Sequence, residues 1–546
     1  MSGLPSLRDG SAEPPAIRVR PRQVFCPIEA QHRDLHVAQD AVSGRFRYAG
    51  VTLDLGQPPD WQHGGLAEDE EWHIEWSKFY FGLDLAHAFS VTDDRSYLDA
   101  WQGLVASWID QRDPDCDPPE VTARRVQNWL YAWQGFDRVP GYPGLDPQLE
   151  DRLLTSLALQ IDHVATNLTP ERNHRTLELF ALLVVSLGLP VLDPGGVRAS
   201  RAWADLQDNL LTDVWSDGVH RERSSHYHLI ALRSFVAARV NITRFGGQIP
   251  PAYDERLRAA LRFGMHLHRP DGYVPALSDS DSDSYLDLLG LAADCLDAAD
   301  LRYVATRGRE GAPPSERCAD FPVGGYYVQR SGWGEQEPWT DERFLVFGCG
   351  PLGDGGHGHY DALSLEAWAD ARPLVVDPGR YSYAEGDPNW RHWFRGTPAH
   401  NTVTVDGADQ TPYARSRSSL PSAVATFLGR DGDTLAGELR SPCYDAVHRR
   451  RITLVDGRYW VIEDELEGER NHRYDLRWHL PPGPAEERAD GVLTPDVEIV
   501  IRGARSVALE AGWVSPEYGI KHAAPVVSAV AVGRTARFVT YLVPQA

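Results

Sequence analysis

Leu177-Glu178-Leu179-Phe180-Ala181-Leu182-Leu183-Val184-Val185-Ser186-Leu187 is apolar on almost every side, and Gly188 and Pro190 then stop it. A helix of that kind has no solvent face to spare and predicts burial all round, as for the inner helix of a double-layered toroid. The segments around it are helical in period from about residue 70 to 300. Tyr97, Leu98, Trp101, Leu104, Val105, Trp108 and Ile109 fall on one face of a helix. Further helices are predicted at 124–137, 149–168, 174–188, 201–215, 224–245, 254–268 and 285–299. Near residue 320 the period changes. Short β-rich runs follow at Tyr326–Gln329, Phe344–Phe347, Leu363–Trp368, Thr402–Val405, Arg451–Val455, Tyr459–Ile462, Arg473–His479, Val497–Ile501 and Phe538–Leu542. Turns such as Val405-Asp406-Gly407 and Val455-Asp456-Gly457 separate several of them. Strands at short spacing without intervening helices predict an antiparallel sandwich. The fold class expected is therefore α+β multidomain, an N-terminal (α/α) toroid followed by a C-terminal antiparallel β-sandwich. Its expected boundaries are a flexible tail over 1–22, the toroid over 23–305, a Gly- and Pro-bearing linker over 306–322 and the sandwich over 323–546.

A chain of 546 residues is too long for one core. Its 24% charged and 42% hydrophobic content is globular, which excludes a disordered or fibrous protein. The 17 Trp and 21 Tyr suit stacking on sugar rings, although large cores use aromatics too. A net charge of −24 argues against nonspecific nucleic-acid or anionic-membrane binding. An acidic substrate would need a local Arg cluster to overcome that field. Six scattered Cys with no C-x-x-C pair read as free thiols. No apolar leader or membrane-length run is present, so a cytoplasmic location is expected; a periplasmic or secreted one would need a leader outside this chain. Monomer and homo-oligomer both stay open.

Three segments carry chemistry. Asn173-His174 opens the most apolar helix, where an amide and an imidazole beside a helix N-terminus can donate to an anion; the alternative is a capping Asn beside a structural His. Tyr227 follows the polar run Asp217–Ser225 and could act as general acid or base if nearby cations lower its ordinary pKa of about 10; otherwise it is a rim tyrosine. Gly355-Gly356-His357-Gly358-His359 frees two imidazoles between glycines. His359, Asp377 of Asp377-Pro378-Gly379 and His400 of Ala399-His400-Asn401 make a plausible set for one divalent metal, zinc by default with manganese or calcium as alternatives. A metal-free histidine cluster is the other reading. The acidic run Asp279, Asp281, Asp283 reads as a solvated loop and helix cap.

In order and in kind, these segments resemble the heparinase II/III superfamily of polysaccharide lyases, from about residue 45 to the end. Arg125 and Asn128 lie in a stretch similar to that family's R-x-x-N-W segment, and Asn173-His174, Tyr227, the H-G-H loop, the D-P-G turn and the A-H-N-T-V strand complete the match. The resemblance implies an active site in the cleft between toroid and sandwich. It implies that His357 is catalytic while His359, Asp377 and His400 bind a mainly structural metal. Some members carry a functional Glu three residues after the catalytic His; Leu177 stands there, and Glu178 receives no role.

The implied reaction is β-elimination on a uronate-containing polyanion, a glycosaminoglycan such as heparin or heparan sulfate, chondroitin or hyaluronan, with alginate or a bacterial exopolysaccharide as alternatives. Removing the C5 proton builds charge on the neighbouring carboxylate, which Asn173 and His174 would stabilise. Tyr227 or His357 would take the proton, and Tyr227 would protonate the leaving O4. Arg125, Asn128, Arg175, Arg221 and Arg395 are the expected substrate-binding residues, with Arg124, Arg172, Arg223 and Arg391 near them; several could instead pair with neighbouring acids. Rivals are a toroid glycoside hydrolase using Asp217 and Glu222, a metal hydrolase at His359, and a binding protein that lost catalysis.

Overall fold

The computed structural model describes residues 18–66, 69–414 and 420–545. The decisive helix spans Arg172–Gly188, and Leu179 to Val185 in it are at most 4% exposed. Gly188 has a packing reason. A Cβ there would stand 2.8 Å from Leu130 of the helix Pro119–Asp137, which crosses close beside it. Its carbonyl accepts the Arg22 N–H at 2.8 Å. Phe81–Thr92, Pro119–Asp137, Arg172–Gly188 and Ser225–Arg244 pack against one another as an inner layer. Arg95–Gln111, Pro147–Thr166 and Val197–Asp213 lie outside them and bury one stripe each. That is the two-layered toroid expected from the apolar pattern.

Below the toroid, a five-stranded antiparallel sheet runs in the order Ala319–Phe321, Tyr326–Arg330, Arg343–Gly348, Leu365–Ala369, Arg372–Val375. Both of its faces are covered. Tyr326, Val328, Phe344, Val346 and Trp368 join the helical core, whereas Tyr327, Leu345, Phe347, Leu365 and Ala367 face the second sheet. Alternation along each strand thus divides one set of apolar residues between two cores, which is why these strands read as unbroken hydrophobic runs. The second sheet is ten-stranded among the described residues and is built on Tyr459–His479 and Ile520–Pro544. The predicted runs 459–462 and 473–479 are one strand. Its middle, Glu467 to Asn471, is largely exposed, and the register shifts there, so the apolar pattern lapses without the strand ending. Asp406-Gly407 and Asp456-Gly457 both take positive φ, as tight hairpin turns require. Val424–Asp431, Thr434–Arg440 and Ser506–Glu517 are strands that the pattern missed.

Two limits shift. Residues 1–17 of the expected tail lie outside the described residues, but residues 18–22 are strapped to the toroid, with Val19 N–H donating to Glu150 Oε1 at 2.7 Å. The five-stranded sheet starts at Ala319, inside the expected linker. The domains meet again far from that sheet. The turn after Glu517 reaches back to the toroid, where the Tyr518 hydroxyl donates to Asp69 Oδ1 (3.2 Å) and its ring stacks on Tyr48 at 6.0 Å. No described helix is long and apolar enough to cross a membrane.

Leu183→Ala should cost about 2–5 kcal/mol of toroid stability, because the fully buried side chain leaves a cavity between helices that cannot close. A fall in the urea midpoint checks this; an unchanged midpoint would contradict the inner-helix placement.

Candidate active site

The site lies where the toroid loop Ser278–Ser280 meets the H-G-H loop of the sandwich. Its organiser is Asp279, which has no exposed surface. Oδ2 of Asp279 meets His357 Nδ1 at 2.9 Å and Oδ1 meets His359 Nε2 at 2.9 Å. Arg391 donates to both oxygens, at 2.8 Å to Oδ2, and also to the Gly356 carbonyl at 2.7 Å. Burial alone would push this carboxyl up; the Arg391 charge and the two imidazole hydrogen bonds override it and hold it well below the usual carboxylate range. Asp281 grips Arg380 with both oxygens, at 2.9 and 2.6 Å. Asp283 lies near Arg233 at 3.5 Å. The expectation of a solvated acidic loop fails at Asp279, and Asp281 and Asp283 are only partly exposed: the three acids, two residues apart, point at three different arginines, and none of them caps the next helix, whose N-cap is Tyr285.

Anchoring Nδ1 of His357 to Asp279 leaves its Nε2 for the cleft, and the side chain is 18% exposed. Its ring packs on Tyr227 with centroids 3.9 Å apart. The Tyr227 hydroxyl lies 2.7 Å from that of Tyr383, and Arg380 Nη1 donates to the Tyr383 oxygen at 2.6 Å. Burial, with Tyr383 alongside, raises the Tyr227 phenol well above its ordinary value against the lowering pull of Arg380. The expectation that cations lower it is corrected: desolvation wins, and the resting group is a neutral phenol. Tyr383 and Arg380 were missed. They directly follow the D-P-G turn, in Arg380-Tyr381-Ser382-Tyr383, a polar aromatic run whose position was the available signal.

Asn173 and His174 begin the inner helix beside these groups. Asn173 Nδ2 donates to Glu222 at 3.0 and 2.8 Å. His174 opens to the cleft, while protein packed around it, with His357, Lys78 and Arg172 adding positive field, lowers it to about 4. Glu178, one turn on, is buried; its two oxygens hold the backbone and hydroxyl of Thr169 at 2.7 and 2.6 Å, and burial lifts it to about 7. It anchors the start of the helix.

His359, Asp377 and His400 present ligand atoms all within 4.8 Å of one another, and all three residues are buried. Nδ1 of His359 and Nε2 of His400 are buried with no hydrogen-bond partner, and the rings lie 5.2 Å apart. Two imidazole nitrogens without a proton acceptor beside a carboxylate fit a divalent cation better than an unfilled core. Asn401 braces this pocket by donating to the carbonyls of Leu365 and Val376 at 2.8 and 3.0 Å.

Each of the five expected substrate-binding residues makes at least one hydrogen bond or ion pair within the protein, while Oδ1 of Asn128 is buried without a partner. Arg125 is fully buried, paired with Asp117 at 2.6 Å and laid over Trp108. Asn128 donates to the Lys78 carbonyl at 2.8 Å. Arg175 donates to the Thr169 carbonyl. Arg221 ties Glu171 and Asp213 of the toroid to Asp354 beside the H-G-H loop, at 2.9, 3.3 and 2.6 Å. Arg395 donates to the Gly358 carbonyl at 2.9 Å. The cations that do line the adjoining cleft, a cavity of about 470 Å³, include Lys78, Arg124, Arg233 and Arg380, with Trp72, Trp76, Tyr48 and Tyr80 among its aromatic walls.

The Heparinase II/III N-terminus family model matches residues 21–294, and the Heparinase II/III-like, C-terminal model matches residues 313–540. A heparin-sulfate lyase of Bacteroides stercoris is 24% identical over 510 residues, covering 86% of this chain and 74% of its own. One from Pedobacter heparinus is 23% identical, covering 84% of this chain and 70% of its own. Among solved structures, a heparinase III superposes with a TM-score of 0.79 at 19% identity, covering 96% of this chain and 85% of the other, which shows the shared fold. Matched in both halves, the chain belongs to the heparinase II/III-like family of polysaccharide lyases.

Proposed function

We propose that this protein cleaves a uronate-containing glycosaminoglycan by β-elimination, leaving a 4,5-unsaturated uronate. The observation that carries this reading is the contact of Tyr227 with His357, whose other nitrogen Asp279 holds. A neutral phenol and an oriented imidazole then stand side by side, next to the cavity that His226 and Arg380 line. The relatives named as heparin-sulfate lyases support the substrate class.

The uronate carboxylate sits against Asn173 and His174. Nε2 of His357 takes the C5 proton. The C–H electrons form the C4–C5 double bond, the C4–O4 bond breaks, and Tyr227 gives its proton to O4 as the leaving group departs. Charge that builds on the carboxylate side is met by the Asn173 amide and the neutral His174 ring. Arg380 can only donate, so the Tyr383 oxygen accepts from it; either hydroxyl of the Tyr227–Tyr383 pair can be the donor between them, and in the proposed step it is Tyr383 that donates to Tyr227. That polarity leaves the Tyr227 proton directed at the sugar and steadies the phenolate that follows. One divalent ion, zinc by its two imidazoles and carboxylate, would be held by His359, Asp377 and His400 and would supply rigidity to the H-G-H loop. The buried position of all three ligands favours that support over a metal-borne nucleophile.

A hydrolase is less well supported. Asp217 is spent on the backbone N–H groups of Val323 and Gly324, both at 2.8 Å, and Glu222 on Asn173, so the two do not flank an open bond.

With heparan sulfate oligosaccharides, product should appear as far-ultraviolet absorbance. Tyr227→Phe should lower kcat by about 10²–10⁴-fold; retention of full activity removes the acid. Tyr383→Phe should cost roughly tenfold, since it loses one hydrogen bond to a developing charge. His174 should titrate near 4 in ring-proton NMR, being neutral throughout the working range; a midpoint above 6 would make it a cation and contradict the neutral-donor role. Elemental analysis should find about one equivalent of metal per chain, lost in His400→Ala; equal content in that variant would count against the trio.

A further inference from the structure

Glu222 is 1% exposed and lies next to the place where a substrate carboxylate has to bind. A buried acid there repels substrate and costs desolvation, so packing gives no reason to place one. Its partner does. Both carboxylate oxygens meet a single atom, Nδ2 of Asn173, at 3.0 and 2.8 Å. At that range the two oxygens of one carboxylate subtend a far narrower angle than the two N–H bonds of an amide. One N–H is therefore shared between both oxygens, and the other is left over. While Glu222 is ionised the reversed amide is disfavoured, because it would set Oδ1 against a carboxylate. Glu222 is itself held in place. Its backbone N–H approaches His220 Nδ1 at 3.4 Å, and its carbonyl presses on Gly353, where a Cβ would stand 2.2 Å away.

We propose that Glu222 is a positioning residue for the elimination: it locks the Asn173 amide so that its second N–H points at the uronate carboxylate. This rests on the lyase reading above. The benefit falls on the transition state, where the carboxylate gathers charge, so kcat suffers more than KM when it is lost.

A double-mutant cycle with Asn173 tests it, using Glu222→Ala, Glu222→Gln, Asn173→Ala and the two Asn173→Ala doubles, with far-ultraviolet product formation and thermal midpoints for each. Glu222→Ala should lower kcat by about 10²-fold with KM changed less than about threefold. Glu222→Gln keeps one acceptor but allows the reversed amide, and should lose roughly tenfold. With Asn173→Ala already in place, either change at 222 should cost less than about threefold more. If Glu222→Ala fails to fold, Glu222→Gln carries the same cycle. Losses that multiply in full in the Asn173→Ala background, or a Glu222→Gln variant with wild-type kcat, would overturn the proposal while leaving the lyase reading intact. Absence of unsaturated product from the wild-type chain would sink both.

Discussion

A single buried carboxylate carries the site. Asp279 belongs to the toroid, yet two of its partners, His357 and His359, belong to a sandwich loop, and Arg391 comes from a helix beyond it. An ion with no exposed surface costs on the order of several kcal/mol in lost hydration, and only the Arg391 guanidinium and the two imidazoles offset that. The same contact sets the tautomer of His357, turns the free nitrogen of His359 toward Asp377 and His400, and pins the two domains together. The orientation of the proposed catalytic imidazole and the assembly of the domains are thus one electrostatic arrangement.

The rest of the interface makes that arrangement rigid. The five-stranded sheet buries one face in the helical core and the other in the sandwich core, so the domains share a layer and do not merely touch. Arg221 adds a second tie at the lead-in to the H-G-H loop, and Tyr518 a third across the cleft. The proposed acid–base pair, working on a weakly acidic carbon, would need such fixed placement, because small displacements cost rate steeply.

Charge follows a similar economy. Acids outnumber bases by 24, and most arginines near the catalytic motifs are held by acids or by backbone carbonyls. Several arginines expected at the substrate are held within the walls, and the cations lining the adjoining cavity are Arg45, Arg47, Lys78, Arg124, Arg233 and Arg380. Adjacency to a catalytic motif in the chain says little about which way a long side chain points, since helix geometry sends neighbours to different faces.

Much was legible in the linear chain. The apolar Leu177–Leu187 run has only one stable home, between other helices, and the change of period near residue 320 marks where helices give way to strands. The residue kinds at 173, 174, 227, 357, 359, 377 and 400 made acid–base and metal chemistry one reading of the chain, beside a helix cap, a rim tyrosine and a metal-free histidine cluster. What the chain could not disclose were pairings across long separations. Asp279 looked like a solvated loop residue because its partners lie 78 to 112 positions away. Tyr227 looked like a phenol made acidic by cations because the desolvation that prevails there exists only once two domains enclose it. Local periodicity is written in the sequence, whereas the partner of a buried charge and the dielectric around a proton arise only when distant segments are packed together.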